Sequence, residues 1–286
     1  MDNINMFGQQ LPQTAGYSRA LGTLYRTLGD KHKAIEFFRN AVSMAVGKGK
    51  VTALCSLAEL LSEMKQSDEA ISLVKEALEL EPNKPFVIAT ASMVYDATGQ
   101  TGKALDIISD GLRISPDDTR LHQMAGMLLK KMGLFSDAIY HLERAVSDPS
   151  LGFSVTDLAD VYTELGKVDE AEKILERYPG TKQRSPSYLS AKANILMRRG
   201  DCHGYEELMK KAIILEPDNV VLYGRMAQFR FEQAQQFVKR GDEHTALVIL
   251  EDALKYISSG LQIEAENKLP LSLEHVIGKL RSRIGS

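Results

Sequence analysis

The chain is 286 residues long, 44% hydrophobic and 26% charged, ordinary proportions for a globular protein. That balance excludes wholesale disorder, a collagen helix and a continuous coiled-coil rod. Lys and Arg number 35 against 38 Asp and Glu, a net charge of −3, whereas a domain built to grip phosphate backbones is clearly basic.

In chain order, Met1 to Thr14 is a polar, Gln-rich tail with no cation before Arg19. It lacks the basic start of a secretory signal. No apolar run reaches the roughly 18 residues of a membrane span. Cys55 and Cys202 make no disulfide framework and no metal spacing. Both are expected as reduced thiols in a helical core, in a cytoplasmic setting.

From Ala15 onward the sequence repeats itself. One column of small residues reads Gly22, Ala58, Ser92, Gly126, Ala159, Ala193 and Ala227, at steps of 33 to 36 residues. A second reads Ala34, Ala70, Ala104, Ala138, Ala171, Tyr205 and Ala246, and a third Ala41, Ala77, Gly111, Ala145, Tyr178, Ala212 and Ala253. Small side chains let two helix backbones approach closely. Large apolar residues flank them at helical spacing, including Leu57 with Leu61 on first helices, and Phe38, Val74, Ile108 and Leu142 on second helices. Each unit reads as an α-hairpin that must stack on its neighbours to bury both stripes.

The punctuation agrees. Gly29, Gly99, Gly133, Gly166, Gly200 and Gly241 fall where first helices end in a left-handed cap. Asp30, Thr101, Ser136, Asp201 and Asp242 are placed to cap the helices that follow. Pro82, Pro116 and Pro217 close second helices.

The period, and the order of small residue, Gly turn, Ala, large apolar residue, Ala and Pro, resemble the tetratricopeptide repeat. The resemblance covers about Ala15 to Ser258. It implies an all-α, right-handed superhelical solenoid of about seven helical hairpins. The expected organisation is a tail over 1–14, a repeat array over 15–258 and a C-terminal capping segment over 259–286. Within that last segment, Leu273, Val276, Ile277, Leu280 and Ile284 make the stripe of a capping helix. The pattern departs at four places. Gly47-Lys48-Gly49-Lys50 reads as a longer turn, and Lys65 replaces the turn glycine. The fifth unit stops early at Tyr178-Pro179-Gly180, so Thr181–Ser185 is a shortened connection or a hinge. The last unit gains about two helical turns, making Tyr223 to Arg240 a long first helix.

No catalytic constellation is present: no Gly-rich phosphate loop, nucleophile elbow or H-E-x-x-H. His32, His203 and His244 occupy equivalent places in separate units and do not converge on a metal. His122 falls in an apolar column and reads as a satisfied core histidine. No cofactor, no metal and no enzymatic activity are expected.

Function must then come from a surface. In the family this chain resembles, first helices line a concave groove that takes peptides or partner helices. Residues one turn apart on those helices face it. They are Arg19, Thr23 and Arg26; Glu59 and Glu63; Phe86, Met93 and Asp96; Arg120, Gln123, Met127 and Lys130; Phe153, Asp160 and Glu164; and Asn194 with Met197. Charge alternates in sign along this row, which speaks against a uniformly acidic ligand, and the methionines offer adaptable apolar spots. The positions of the family's two-carboxylate clamp hold Arg19, Thr23, Ser56, Phe86 and Thr90. The clamp asparagines are missing, so that ligand is not carried over. The expected function is a scaffold or adaptor for a protein segment. The rivals are an assembly or secretion chaperone and, disfavoured by charge, an RNA-binding helical array.

Overall fold

In the computed structural model, residues 14–148, 153–177, 185–263 and 282 are described. The expectations for residues 1–13, for the connection at 178–184 and for the capping stripe within 271–284 fall outside them, apart from Ser282. The described residues form fourteen α-helices and no strand.

They group into two compact units, Met1–Ser154 and Val155–Ser286. The first unit contains α1 (Ala15–Thr27), α2 (Lys31–Met44), α3 (Lys48–Glu63), α4 (Ser67–Leu80), α5 (Pro85–Ala97), α6 (Thr101–Ile114), α7 (Thr119–Lys131) and α8 (Phe135–Ala145). They pack as four consecutive hairpins, α1 on α2 through α7 on α8. α9 (Phe153–Glu164) starts at the end of this unit. The second unit continues with α10 (Val168–Glu176), α11 (Pro186–Arg198), α12 (Cys202–Leu215), α13 (Val220–Lys239) and α14 (Glu243–Ile263). There α11 packs on α12 and α13 on α14.

The small columns sit where the helices cross. Ala34, Ala58, Ala70, Ala104, Ala138, Ala159, Ala193 and Ala212 are fully buried. A Cβ added to Gly126 would meet Leu142 Cγ at 2.5 Å and the Ala138 carbonyl at 3.3 Å; one added to Gly22 would meet the Phe38 ring at 2.6 Å. Ser92, also buried, donates across its crossing to the Ala104 carbonyl at 3.2 Å. The large columns fill the space between: Phe38, Val74, Ile108, Leu142 and Met209 are buried, each contributing about 1.5–3 kcal/mol. Tyr205, which broke the small column, is buried against the Phe229 ring at 4.7 Å.

The turns carry both a confirmation and a correction. All six turn glycines have φ between 74° and 84°, and Lys65 adopts the same left-handed backbone at φ 61°. Asp30, Asp201 and Asp242 accept backbone N–H bonds as expected. Thr101 and Ser136 do not cap. The residue directly after the left-handed turn is the cap, so Gln100 and Leu134 hold those places. Thr101 instead donates its hydroxyl to Asp96 Oδ1 at 2.7 Å.

Three further boundaries differ from the sequence reading, and two helix lengths follow it. Lys48, Gly49 and Lys50 belong to α3 rather than to a longer turn. Thr14, assigned to the tail, caps α1 by accepting from the Tyr17 amide. α10 is short at nine residues, whereas α13 reaches 20 as the insertion required. α14 matches it at 21 residues and runs past Ser258 to Ile263.

A candidate partner-binding face on the first helices

Within the first unit, successive first helices touch one another: α1 with α3, α3 with α5, and α5 with α7. The row of residues following the small column stands on this side. Thr23 is exposed, Glu59 half-buried, and Met93 and Met127 are exposed at 48% and 47%. Phe86 and Arg120 begin α5 and α7 at equivalent positions and are both exposed, Phe86 at 38%. One exposed set therefore comprises Phe86, Met93, Arg120 and Met127. Gln123 and Lys130 are half-buried on the same helix as Arg120.

The charged members behave differently from the alternating row read in the sequence. Arg26 pairs with Glu59 Oε2 at 3.5 Å, and the buried Thr90 hydroxyl donates to Glu59 Oε1 at 3.1 Å. Glu63 pairs with Lys31 at 3.7 Å. Asp96 receives Lys131 and Thr101, each at 2.7 Å. These carboxylates are thus turned toward the protein's own cations and hydroxyls. Arg19 and Arg120 are exposed and have no ion pair among the described residues. Arg19 also borders a cleft of about 290 Å³ with Ala15, Gly16, Lys48, Gly49 and Thr52. Thr23 spends its hydroxyl on the Arg19 carbonyl at 3.1 Å.

Apart from Phe153, the other expected groove residues belong to the second unit and form a separate set. Asn194 donates to Asp160 Oδ1 at 3.0 Å, and Arg198 to Glu164 Oε2 at 2.8 Å. Met197 is half-buried and packs against the core of α11, α12 and α13. It offers no exposed apolar spot, which corrects its grouping with Met93 and Met127. The Phe153 side chain lies outside what is described.

Sequence reasoning missed Thr90 as the second partner of Glu59 and Lys48 as the neighbour of Arg19. Thr90 had a signal, since it lies two residues before the small position of its helix. Lys48 had none, because its place depends on α3 starting a turn earlier than expected.

Of the two thiols, only Cys55 is in the core. Burial, then the nearby Glu59 charge, pushes its pKa up to about 11. Cys202, expected in the core, is exposed, because it opens α12 immediately after the Asp201 cap. His122 is satisfied as expected, with Nε2 2.8 Å from the Pro116 carbonyl and Nδ1 2.9 Å from His141 Nδ1. Among the described residues no three metal-ligating side chains converge, and no helix is long and apolar enough to cross a membrane.

Packed helical hairpins with small residues at their crossings and a mixed polar and apolar first-helix face define a helical-repeat protein. Profiles described as tetratricopeptide repeat match residues 20–45, 61–128 and 129–195, and the chain belongs to that family. Protein O-mannosyl-transferase TMTC1 of Mus musculus is 25% identical over 260 residues, 78% of this chain and 24% of that protein. Antiviral innate immune response effector IFIT1 of Homo sapiens is 24% identical over 190 residues, 57% of this chain and 39% of that protein. The chain thus spans well under half the length of either relative. Among solved structures, a tetratricopeptide repeat protein from Parabacteroides merdae matches with a TM-score of 0.62 at 15% identity, over 96% of this chain and 100% of that one. A human IFIT1 dimer with m7Gppp-AAAA matches with a TM-score of 0.64 at 16% identity, over 96% of this chain and 66% of that one. At such identities the likeness is one of fold.

Proposed function

We propose that this protein is a non-catalytic, cytoplasmic interaction scaffold that holds a segment of a partner protein on the first-helix face of its first unit. One observation carries the reading. Phe86, Met93 and Met127 are large apolar side chains left exposed on that face, in register across two successive units, beside Arg120, which has no ion pair among the described residues. Large apolar side chains grouped on one face mark interaction sites more often than scattered ones do. Binding energy concentrates in a few such anchors.

The test is site-specific crosslinking in native lysate, with a photoreactive residue at position 93 or at position 103. Lys103 is exposed on second helix α6. A protein captured from position 93 and not from position 103 supports the reading. Met127→Glu combined with Arg120→Glu should abolish that capture at an unchanged melting temperature, since exposed substitutions cost under about 0.5 kcal/mol. Equal capture from both positions removes the reading. An unfolded double variant would show that Met127 is a core residue.

A further inference from the structure

We propose that the segment held on this face is acidic and apolar: a stretch in which Asp or Glu residues flank large aliphatic or aromatic side chains, read internally and not through a chain terminus. The inference rests on the scaffold reading above and names the chemistry of the partner.

The argument starts from which charges are already spoken for. On the first-helix side of the first unit, Glu59 is held by Arg26 and Thr90, Glu63 by Lys31, and Asp96 by Lys131 and Thr101. A basic segment arriving here would have to take these carboxylates from partners already in place. It would also meet Arg19 and Arg120, whose charges repel it. An acidic segment meets the opposite situation. Arg19 and Arg120 are exposed and have no ion pair among the described residues, and Lys48 shares the cleft with Arg19. Its carboxylates would gain charge-assisted hydrogen bonds without breaking any contact described above.

The apolar half of the ligand follows from what shares the first-helix side with those cations. Phe86 and Met93 on α5 and Met127 on α7 are exposed. Methionine is flexible and polarizable and adapts to irregular apolar side chains. The same thioethers disfavour a nucleic acid. Single strands bind through aromatic platforms along a basic groove, and among the described side chains this row offers one aromatic ring, Phe86. A terminal carboxylate is not what the face reads, because Arg19, Thr23, Ser56, Phe86 and Thr90 do not make a clamp and Thr90 is committed to Glu59.

The experiment measures binding of the full chain to short, fluorescently labelled peptides with amidated C-termini. All share one spacing of Leu, Phe and Met. The flanking positions are Asp and Glu in the first set, Asn and Gln in the second, and Lys and Arg in the third. An oligoadenylate RNA is the fourth probe. The acidic set is expected to bind at least about tenfold more tightly than the amide set, as suits an interface with charged anchors. Added salt should weaken it. Arg120→Glu should lose the acidic set and gain the basic one, a reversal that a misfolded variant cannot produce. Lys103→Glu should bind as the parent does. Preference for the basic or amide set, still lost in Met127→Glu, overturns the acidic inference and leaves the scaffold face standing. Acidic peptides bound equally by the parent, Met127→Glu and Arg120→Glu overturn the face itself. No binding of any peptide, or RNA binding lost in Arg120→Glu, overturns both.

Discussion

Arg26 and Thr90 hold opposite oxygens of one carboxylate, that of Glu59. Arg26 comes from α1, Glu59 from α3 and Thr90 from α5, so a single side chain ties three successive hairpins together on their first-helix side. Arg26 is partly exposed, and solvent screens the ion pair. The buried Thr90 hydroxyl is the costlier group to strand. Glu59→Ala should therefore lower stability by about 1–2 kcal/mol, whereas Glu59→Gln should keep most of it. Denaturant midpoints of the two variants check this. Equal losses would place the effect in packing and not in the shared carboxylate.

The α7–α8 crossing has no spare volume. Ala138 is fully buried, and a Cβ at Gly126 would run into Leu142. Ala138→Leu should destabilise by about 1–3 kcal/mol, and Gly126→Ala should destabilise by forcing Leu142 aside. Chemical denaturation reads both. An unchanged midpoint for Ala138→Leu would mean the register of that hairpin is wrong.

Lys65 is the single residue other than glycine with a left-handed backbone among the described residues. That conformation costs an L-residue about 1–2 kcal/mol. Glycine is free of the clash but loses more chain entropy on folding. Lys65→Gly should raise stability by up to about 1 kcal/mol. A lower melting temperature for this variant would show that the lysine side chain outweighs its backbone.

The His122–His141 contact should make the fourth hairpin sensitive to acid. The Pro116 carbonyl accepts from His122 Nε2, so in the neutral pair His122 Nδ1 is the acceptor and His141 Nδ1 the donor. Burial first, then the His122 ring, hold the His141 pKa below its ordinary value. Asp137 opposes that shift and Arg144 adds to it. The unfolded chain then takes up this proton at a higher pH than the folded one. Stability is complete above the unfolded pKa and falls as pH drops through it. The midpoint should decline between about pH 7.5 and pH 5.5, and less steeply in His141→Gln. Identical slopes would assign the acid sensitivity to another group.

How much was legible differs by column. The crossings were readable because a close helix contact admits few side chains, so Ala58, Gly126 and Ala193 mark themselves. The long α13 was readable from an insertion of whole turns. Thr101 and Ser136 were misplaced because residue type alone does not say which position follows the left-handed turn. The candidate face was half legible. Its residues sit at helical spacing, but whether Glu59 meets a ligand or Arg26 depends on how neighbouring helices are offset, and one strand of text does not contain that offset. The half-burial of Met197 was hidden for the same reason, since its packing against residues of α11, α12 and α13 is a property of three helices together.

On the first helices of the first unit, each small crossing residue is followed directly by a member of the candidate row: Gly22 by Thr23, Ala58 by Glu59, Ser92 by Met93, Gly126 by Met127. Neighbours on a helix point about 100° apart, so one letter is spent on architecture and the next, on the proposed reading, on recognition. A substitution at 93 or 127 should alter what this face presents and leave the crossing beside it untouched. The two inheritances are physically uncoupled although they are adjacent in the gene. An array that binds through this row, as proposed, can exchange one partner for another through single changes, each made on a scaffold that still folds.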